Sequence, residues 1–180
     1  MIRWGGKTLA AVAVTVAVTV LPGCGSSDTS AFVVPVSLAH SRDLKTCADL
    51  QKLLPDTLDA VGRRRVRPES PTTAAWGDPA IVLRCGVAEP AILAPGSPEY
   101  DPTGAKSDWE EIDGLCWVSV GTHRAGDTSE PFTFVTAKQD TYVELDVPAE
   151  YSGEESPQAV LSRLILEVDA TVPDRRFLCA

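Results

Sequence analysis

FTFVTAKQDTYVELDV (residues 132–147) is the stretch that decides the fold. In its second half Val143, Leu145 and Val147 alternate with Tyr142, Glu144 and Asp146, the pattern of an antiparallel strand with one dry and one wet face. Phe132 to Ala137 is short, aromatic and β-branched, so it reads as the partner strand, and Gln139-Asp140 marks a tight hairpin between them. Leu115 to Val120 has the same character. So does Ala80 to Cys85, which follows the turn signal Gly77-Asp78-Pro79 and sets Ile81, Leu83 and Cys85 on one face with Arg84 on the other.

Helical signals flank these strands. Phe32 to Leu38 is a short apolar run, expected as a first strand, and Ser41 then caps a predicted helix. Leu44, Cys47, Leu50, Leu53 and Leu54 recur there at three and four residues, forming one stripe that Pro55 interrupts. Asp56 to Val61 is expected to restart a turn before the basic run Arg63, Arg64, Arg65 and Arg67. Ser156-Pro157 supplies a cap and a proline at the first helical position, and Leu161, Leu164, Ile165 and Val168 follow as a second stripe. The expected fold is α+β: one domain over residues 32–180, a small antiparallel sheet with helices packed on one face. The stretch Glu89 to Asp113, rich in Pro, Gly and acid, is about 25 residues long, beyond ordinary loop lengths, and is expected as an insertion.

The N-terminus carries an address. Met1 to Lys7 holds two positive charges, Leu9 to Leu21 holds none, and Leu21-Pro22-Gly23-Cys24 follows at once. The apolar run matches a signal segment of roughly 7 to 15 residues and falls short of the roughly 20 that span a bilayer. Residues 1–23 are therefore expected to be a lipoprotein signal peptide, with Cys24 lipidated, residues 24–31 a flexible tether, and the protein held on the extracytoplasmic face of the cell membrane. Removing 1–23 takes away Arg3 and Lys7 and no acid, which moves the net charge from -9 to -11. Such a surface argues against nucleic acid as a partner, and it leaves the lipid to supply the membrane affinity.

Setting Cys24 aside, Cys47, Cys85, Cys116 and Cys179 are an even number, which reads as two disulfides in an oxidising compartment. Four cysteines allow three connectivities, and spacing alone does not choose. An α+β layout presents Cys47 from the helix stripe toward the inward Cys85 and returns the C-terminal tail to the strand of Cys116, which favours Cys47–Cys85 with Cys116–Cys179. No C-x-x-C pair stands here, so neither a metal nor a cofactor is expected.

Chemistry-bearing side chains are sparse. His40 precedes the first helix and His123 sits in a Gly-Thr-His-Arg-Ala-Gly loop; neither adjoins a nucleophile elbow, so both are expected in solvent. Asp108, Glu110, Glu111 and Asp113 are the densest acidic group, and their spacing fits no calcium loop or glycosidase signature. The candidate binding residues are Arg63, Arg64, Arg65 and Arg67, because guanidinium groups pair bidentately with phosphate and carboxylate. Trp76 and Trp109 join them as candidate anchors for a partner, while Trp117 on a strand is expected in the core.

In chain order stand a Cys-x-x-Leu-x-x-x-Leu-Pro helix (Cys47, Leu50, Leu54, Pro55), an Ala-Trp-Gly-Asp-Pro turn (Ala75 to Pro79), an Arg-Cys-Gly strand end (Arg84 to Gly86) and a Gly-x-x-Trp entry (Gly114, Trp117). With the aromatic-Thr and Tyr-Val-Glu strands, this set resembles an actinobacterial family of secreted and lipid-anchored proteins catalogued as domain of unknown function 3515. The resemblance covers roughly residues 40 to 170. It implies an envelope protein and brings no catalytic residue. It also implies Cys47–Cys85 as the shared pair and Cys116–Cys179 as an added one, since the family has no cysteine before that Trp. The expected function is a lipid-anchored, non-catalytic binding or accessory module whose partner is an envelope protein or an anionic wall or lipid component. The alternatives are a small envelope hydrolase and a lipid or small-molecule carrier.

Overall fold

In a computed structural model, residues 1, 30–32, 38, 40–58, 61–101, 103, 109–112, 114–121, 130–137, 139–151, 157–172 and 179 are described. The expected signal segment beyond Met1, Cys24 and the tether up to residue 29 lie outside them, as do Ser156, His123, Asp108 and Asp113.

The chain forms β1 (Ser30–Phe32), α1 (Asp43–Leu53), β2 (Thr57–Leu58), β3 (Val61–Arg67), β4 (Thr73–Trp76), β5 (Ile81–Val87), β6 (Trp109–Ile112), β7 (Leu115–Val120), β8 (Phe132–Thr136), β9 (Tyr142–Val147), a 3-10 turn at Ala149–Tyr151 and α2 (Pro157–Thr171). Nine strands make one sheet in the order β1-β3-β4-β5-β9-β8-β7-β6, with β2 beside β3. All neighbours are antiparallel except β1 and β3. The molecule is thus mostly sheet. The expectation of a small antiparallel sheet is corrected in two ways: it is large, and its β1 edge is parallel.

Four unexpected strands, β2, β3, β4 and β6, account for the size, and β1 for the parallel edge. β3 is the arginine run, which carries too few apolar residues to read as a strand from alternation. It lies next to the sheet edge, covered on its outer side only by the short β1 and β2, and arginine stems lie along apolar surface while their heads reach polar groups. β6 takes the end of the Glu89–Asp113 stretch, so those residues belong to the sheet rather than to an insertion. β1 begins at Ser30, two residues before the expected boundary, and Phe32 is its last residue.

The 132–147 stretch forms the predicted pair, with Phe134 opposite Leu145. Its connection runs from 137 to 141 and is longer than a tight two-residue turn. The buried Thr136 hydroxyl accepts the Val143 N–H at 2.9 Å, and Gln139 is 1% exposed, so this loop folds polar side chains inward.

α1 starts with Arg42 at the cap position and no side-chain cap, in place of the expected Ser41. Its first helical residue instead reaches back and across. The Asp43 carboxylate accepts the His40 N–H at 2.7 Å and the Thr141 hydroxyl at 2.8 Å, pinning the helix start to the end of the 137–141 loop. Leu44 and Leu53 point to solvent, while Cys47, Leu50 and Leu54 point inward, so the stripe is narrower than its spacing implied.

One core holds Cys47, Leu50 and Leu54 from α1, Val160, Leu164 and Val168 from α2, and the inward residues of β4, β5, β7, β8 and β9. Each fully buried aliphatic or aromatic side chain contributes about 1.5 to 3 kcal/mol. Cys47 bonds to Cys85 with 5.5 Å between Cα atoms, and Cys116 bonds to Cys179 with 5.3 Å. Gly86, at φ +81°, lies against Leu38, Asp43 and Cys47, where a Cβ has no room. That close approach lets α1 sit on β5 beside the disulfide.

Candidate functional site

The arginine run becomes a site through strand alternation. Arg63 stands opposite Trp76 on β4 and Arg64 opposite Ala75, so the run divides between the two faces of the sheet. The Arg63 guanidinium lies 5.7 Å from the Trp76 ring centroid and donates to the Leu54 carbonyl at 3.2 Å and to Gln51 Oε1 at 2.6 Å. Arg64 donates to the carbonyls of Gly77 at 2.9 Å and Ser30 at 3.1 Å and stands 3.2 Å from Asp78. These two guanidinium groups are committed to the fold. Arg65 and Arg67 are exposed and pair with no acid among the described residues.

Beside them opens a groove of about 430 Å³ whose walls include Gln51, Arg63, Arg65, Glu69, Ser70 and Thr73. With Oε1 of Gln51 taken by Arg63, its Nε2 has no partner among the described residues. The Ser70 hydroxyl is tied into the 70–73 turn, 2.9 Å from Thr72 Oγ1 and 3.2 Å from the Thr72 N–H. The walls thus combine the fixed guanidinium groups of Arg63 and Arg64 with the free one of Arg65 and the Glu69 carboxylate, while Arg67 follows on the same strand two residues beyond Arg65. Guanidinium groups so placed can pair with the oxygens of a phosphate or carboxylate.

Trp76 is corrected as an anchor for a partner: it is 0% exposed, with Nε1 donating to the Pro55 carbonyl at 3.0 Å. Alternation on β4 turns it inward although a surface turn follows. Trp109 is half-buried, packed against Ala137 and the Cys116–Cys179 bridge. Trp117 is fully buried. His40 is exposed with Nδ1 3.5 Å from Asp43, whose carboxylate already receives the His40 N–H and Thr141. Glu110 and Glu111 lie on β6. Cys24 and His123 lie outside the described residues.

A second polar cluster was not singled out from the sequence. On the face of β5 and β9 opposite the core, Arg84 Nη1 donates to Glu144 Oε1 at 2.8 Å and also to Asp146, whose other oxygen accepts the Thr133 hydroxyl at 2.7 Å. Burial, and then the like charge of Asp146, pushes the Glu144 carboxyl above its ordinary range despite the opposing pull of Arg84. Burial also disfavours the Arg84 charge, but the bonds and charges of Asp146 and Glu144 outweigh it and hold that guanidinium more firmly protonated. On the surface of α1, hydrogen bonds from Lys45 and Lys52 draw Asp49 down to about 2. The signal for the Arg84 cluster was the wet-face pair Glu144 and Asp146; what it lacked was the register that sets Arg84 opposite Glu144.

Among the described residues no group of three or more His, Cys, Asp or Glu could hold a metal ion, and no helix is long and apolar enough to cross a membrane. A family described as "Protein of unknown function (DUF3515)" matches residues 8–175. No curated protein and no solved structure matches the chain.

Proposed function

The chain belongs to the DUF3515 family of proteins of unknown function, and from that premise we propose a lipid-anchored envelope protein that binds an anionic group at the β3 groove and carries out no catalysis. One observation carries the reading: Arg65 and Arg67 stand exposed and pair with no acid among the described residues, in a chain of net charge -9. Arg63 and Arg64, held by hydrogen bonds, supply fixed positive charge behind the two free ones. The same reading takes α1 and α2 as one layer on a single face of the sheet, supported by the core they share with the inward strand residues.

The test is calorimetric titration of the lipoprotein with a short poly(glycerol phosphate) oligomer. Binding that weakens with added salt and with Arg65→Glu is expected. An isotherm unchanged by Arg65→Glu, or no binding at all, overturns the anion-binding reading. Mass spectrometry of the N-terminal peptide tests the anchor separately: a Cys24 without acyl chains overturns it.

A further inference from the structure

The basic strand lies against the place where the chain enters the domain. β1 runs parallel to β3 with Ser30 opposite Arg65 and Phe32 opposite Arg67, and Arg64 donates to the Ser30 carbonyl at 3.1 Å. Cys24 precedes Ser30 by six residues. A fully extended chain spans at most about 3.6 Å per residue, so Cys24 stands no farther than about 22 Å from Ser30. Acyl chains on Cys24 therefore hold the β1–β3 edge, and with it Arg65 and Arg67, close to the bilayer surface.

We propose that this edge is the membrane-facing surface of the domain, and that the arginine groove takes the phosphodiester headgroups of anionic lipids in the leaflet that carries the anchor. The inference rests on the reading of the chain as an anion-binding lipoprotein. Charge makes the edge selective. The domain as a whole is acidic and is repelled by an anionic surface, so the face that carries Arg65 and Arg67, exposed and paired with no acid among the described residues, is the one that turns toward it. Each basic side chain beside such a surface contributes about a fivefold bias, which for Arg65 and Arg67 together is about 30-fold. The role of the groove is therefore orientation, while the acyl chains provide attachment. Glu69 at the groove wall lowers the local charge and keeps the contact reversible.

The experiment uses the lipidated protein on vesicles of phosphatidylcholine alone or with one third phosphatidylglycerol. The readout is the rate of phenylglyoxal modification at each arginine, resolved by mass spectrometry. Arg42 is the internal control: it is exposed at the start of α1, about 14 Å of helix away from Gln51. Phosphatidylglycerol is expected to slow modification of Arg65 and Arg67 by tenfold or more while leaving Arg42 unchanged. Arg67→Glu is expected to release Arg65, and Arg65→Glu to release Arg67, with each variant still on the vesicle through its anchor; Arg67→Lys retains the protection. Equal rates on both vesicles, or slowing of Arg42 to the same degree, overturn the proposal. Protection by the soluble poly(glycerol phosphate) oligomer with none from the phosphatidylglycerol surface overturns the orientation and leaves the anion-binding reading standing. Protection by neither overturns both.

Discussion

β5 and β9 carry two unlike faces through the thickness of one sheet. On the inner face Ile81, Leu83, Cys85, Val143, Leu145 and Val147 are all 0% exposed and join the helices in a single core. On the outer face the same strands present Val82, Arg84, Tyr142, Glu144 and Asp146, where an ionic cluster sits between two small apolar patches. The turn at 91–94 covers part of that face, with Ile92 and Leu93 against Val87, Val118, Val135 and Tyr142, while Tyr142 donates to Glu89 at 2.7 Å. Strand alternation produces both faces, but their energetics differ. The inner face is stabilised by volume removed from water, and each side chain adds to it. The outer face is a near balance in which desolvation of charge offsets much of the attraction between charges.

Mutations should expose that contrast. The largest effect is expected for Trp76→Ala, which empties the inner face beneath Arg63 and removes the bond to Pro55; a loss of about 4 to 5 kcal/mol in urea denaturation would match a large core truncation. Replacing both Cys47 and Cys85 by alanine should cost about 4 kcal/mol, since their bond closes a loop with a sequence separation of 38. On the outer face Asp146→Asn weakens the bonds from Arg84 and Thr133 and should cost only about 1 to 2 kcal/mol by the same assay. Glu144→Gln is the smallest and the sharpest. Because the folded Glu144 carboxyl titrates above its ordinary value of 4.5, its contribution to stability is fully present below that pH and is lost as pH rises through the folded value. Glutamine does not titrate, so the variant should gain on the native protein as pH rises from 4 to 7, by less than about 1 kcal/mol. A variant that instead loses ground over that range would show that Arg84 dominates the site.

How far the sequence foretold these regions follows from the same physics. β5, β7, β8 and β9 were visible because one side of each is apolar, and the inward path of Cys47 was visible because Leu50 and Leu54 share its spacing. β3 and β6 were hidden, since Arg63 to Arg67 and Trp109 to Ile112 sit at or near sheet edges where charge is tolerated and alternation fades. The Arg84 cluster was hidden for another reason: β5 and β9 meet across some 60 residues of chain, and the acid pair at 144 and 146 does not announce which strand will lie beside it. In the arginine run the residue type was apparent. Which guanidinium groups the fold would consume depended on carbonyls at Leu54, Gly77 and Ser30 that only the folded chain brings within reach.

The two disulfides enclose separate stretches of chain, 47–85 and 116–179, and the loops do not overlap. The whole of β3, with its groove, belongs to the first loop, while β7, β8, β9 and α2 belong to the second. The pairing of β5 with β9, bearing Arg84 on one side and Glu144 and Asp146 on the other, is the seam that joins them. A single proteolytic cut inside either loop leaves two pieces still joined through sulfur. A cut in the exposed turn around Pro95 and Gly96 leaves two closed halves held by that seam, the shared core and bonds such as Thr141 to Asp43, so under denaturing, non-reducing conditions the site of a nick alone determines whether the molecule migrates as one chain or two.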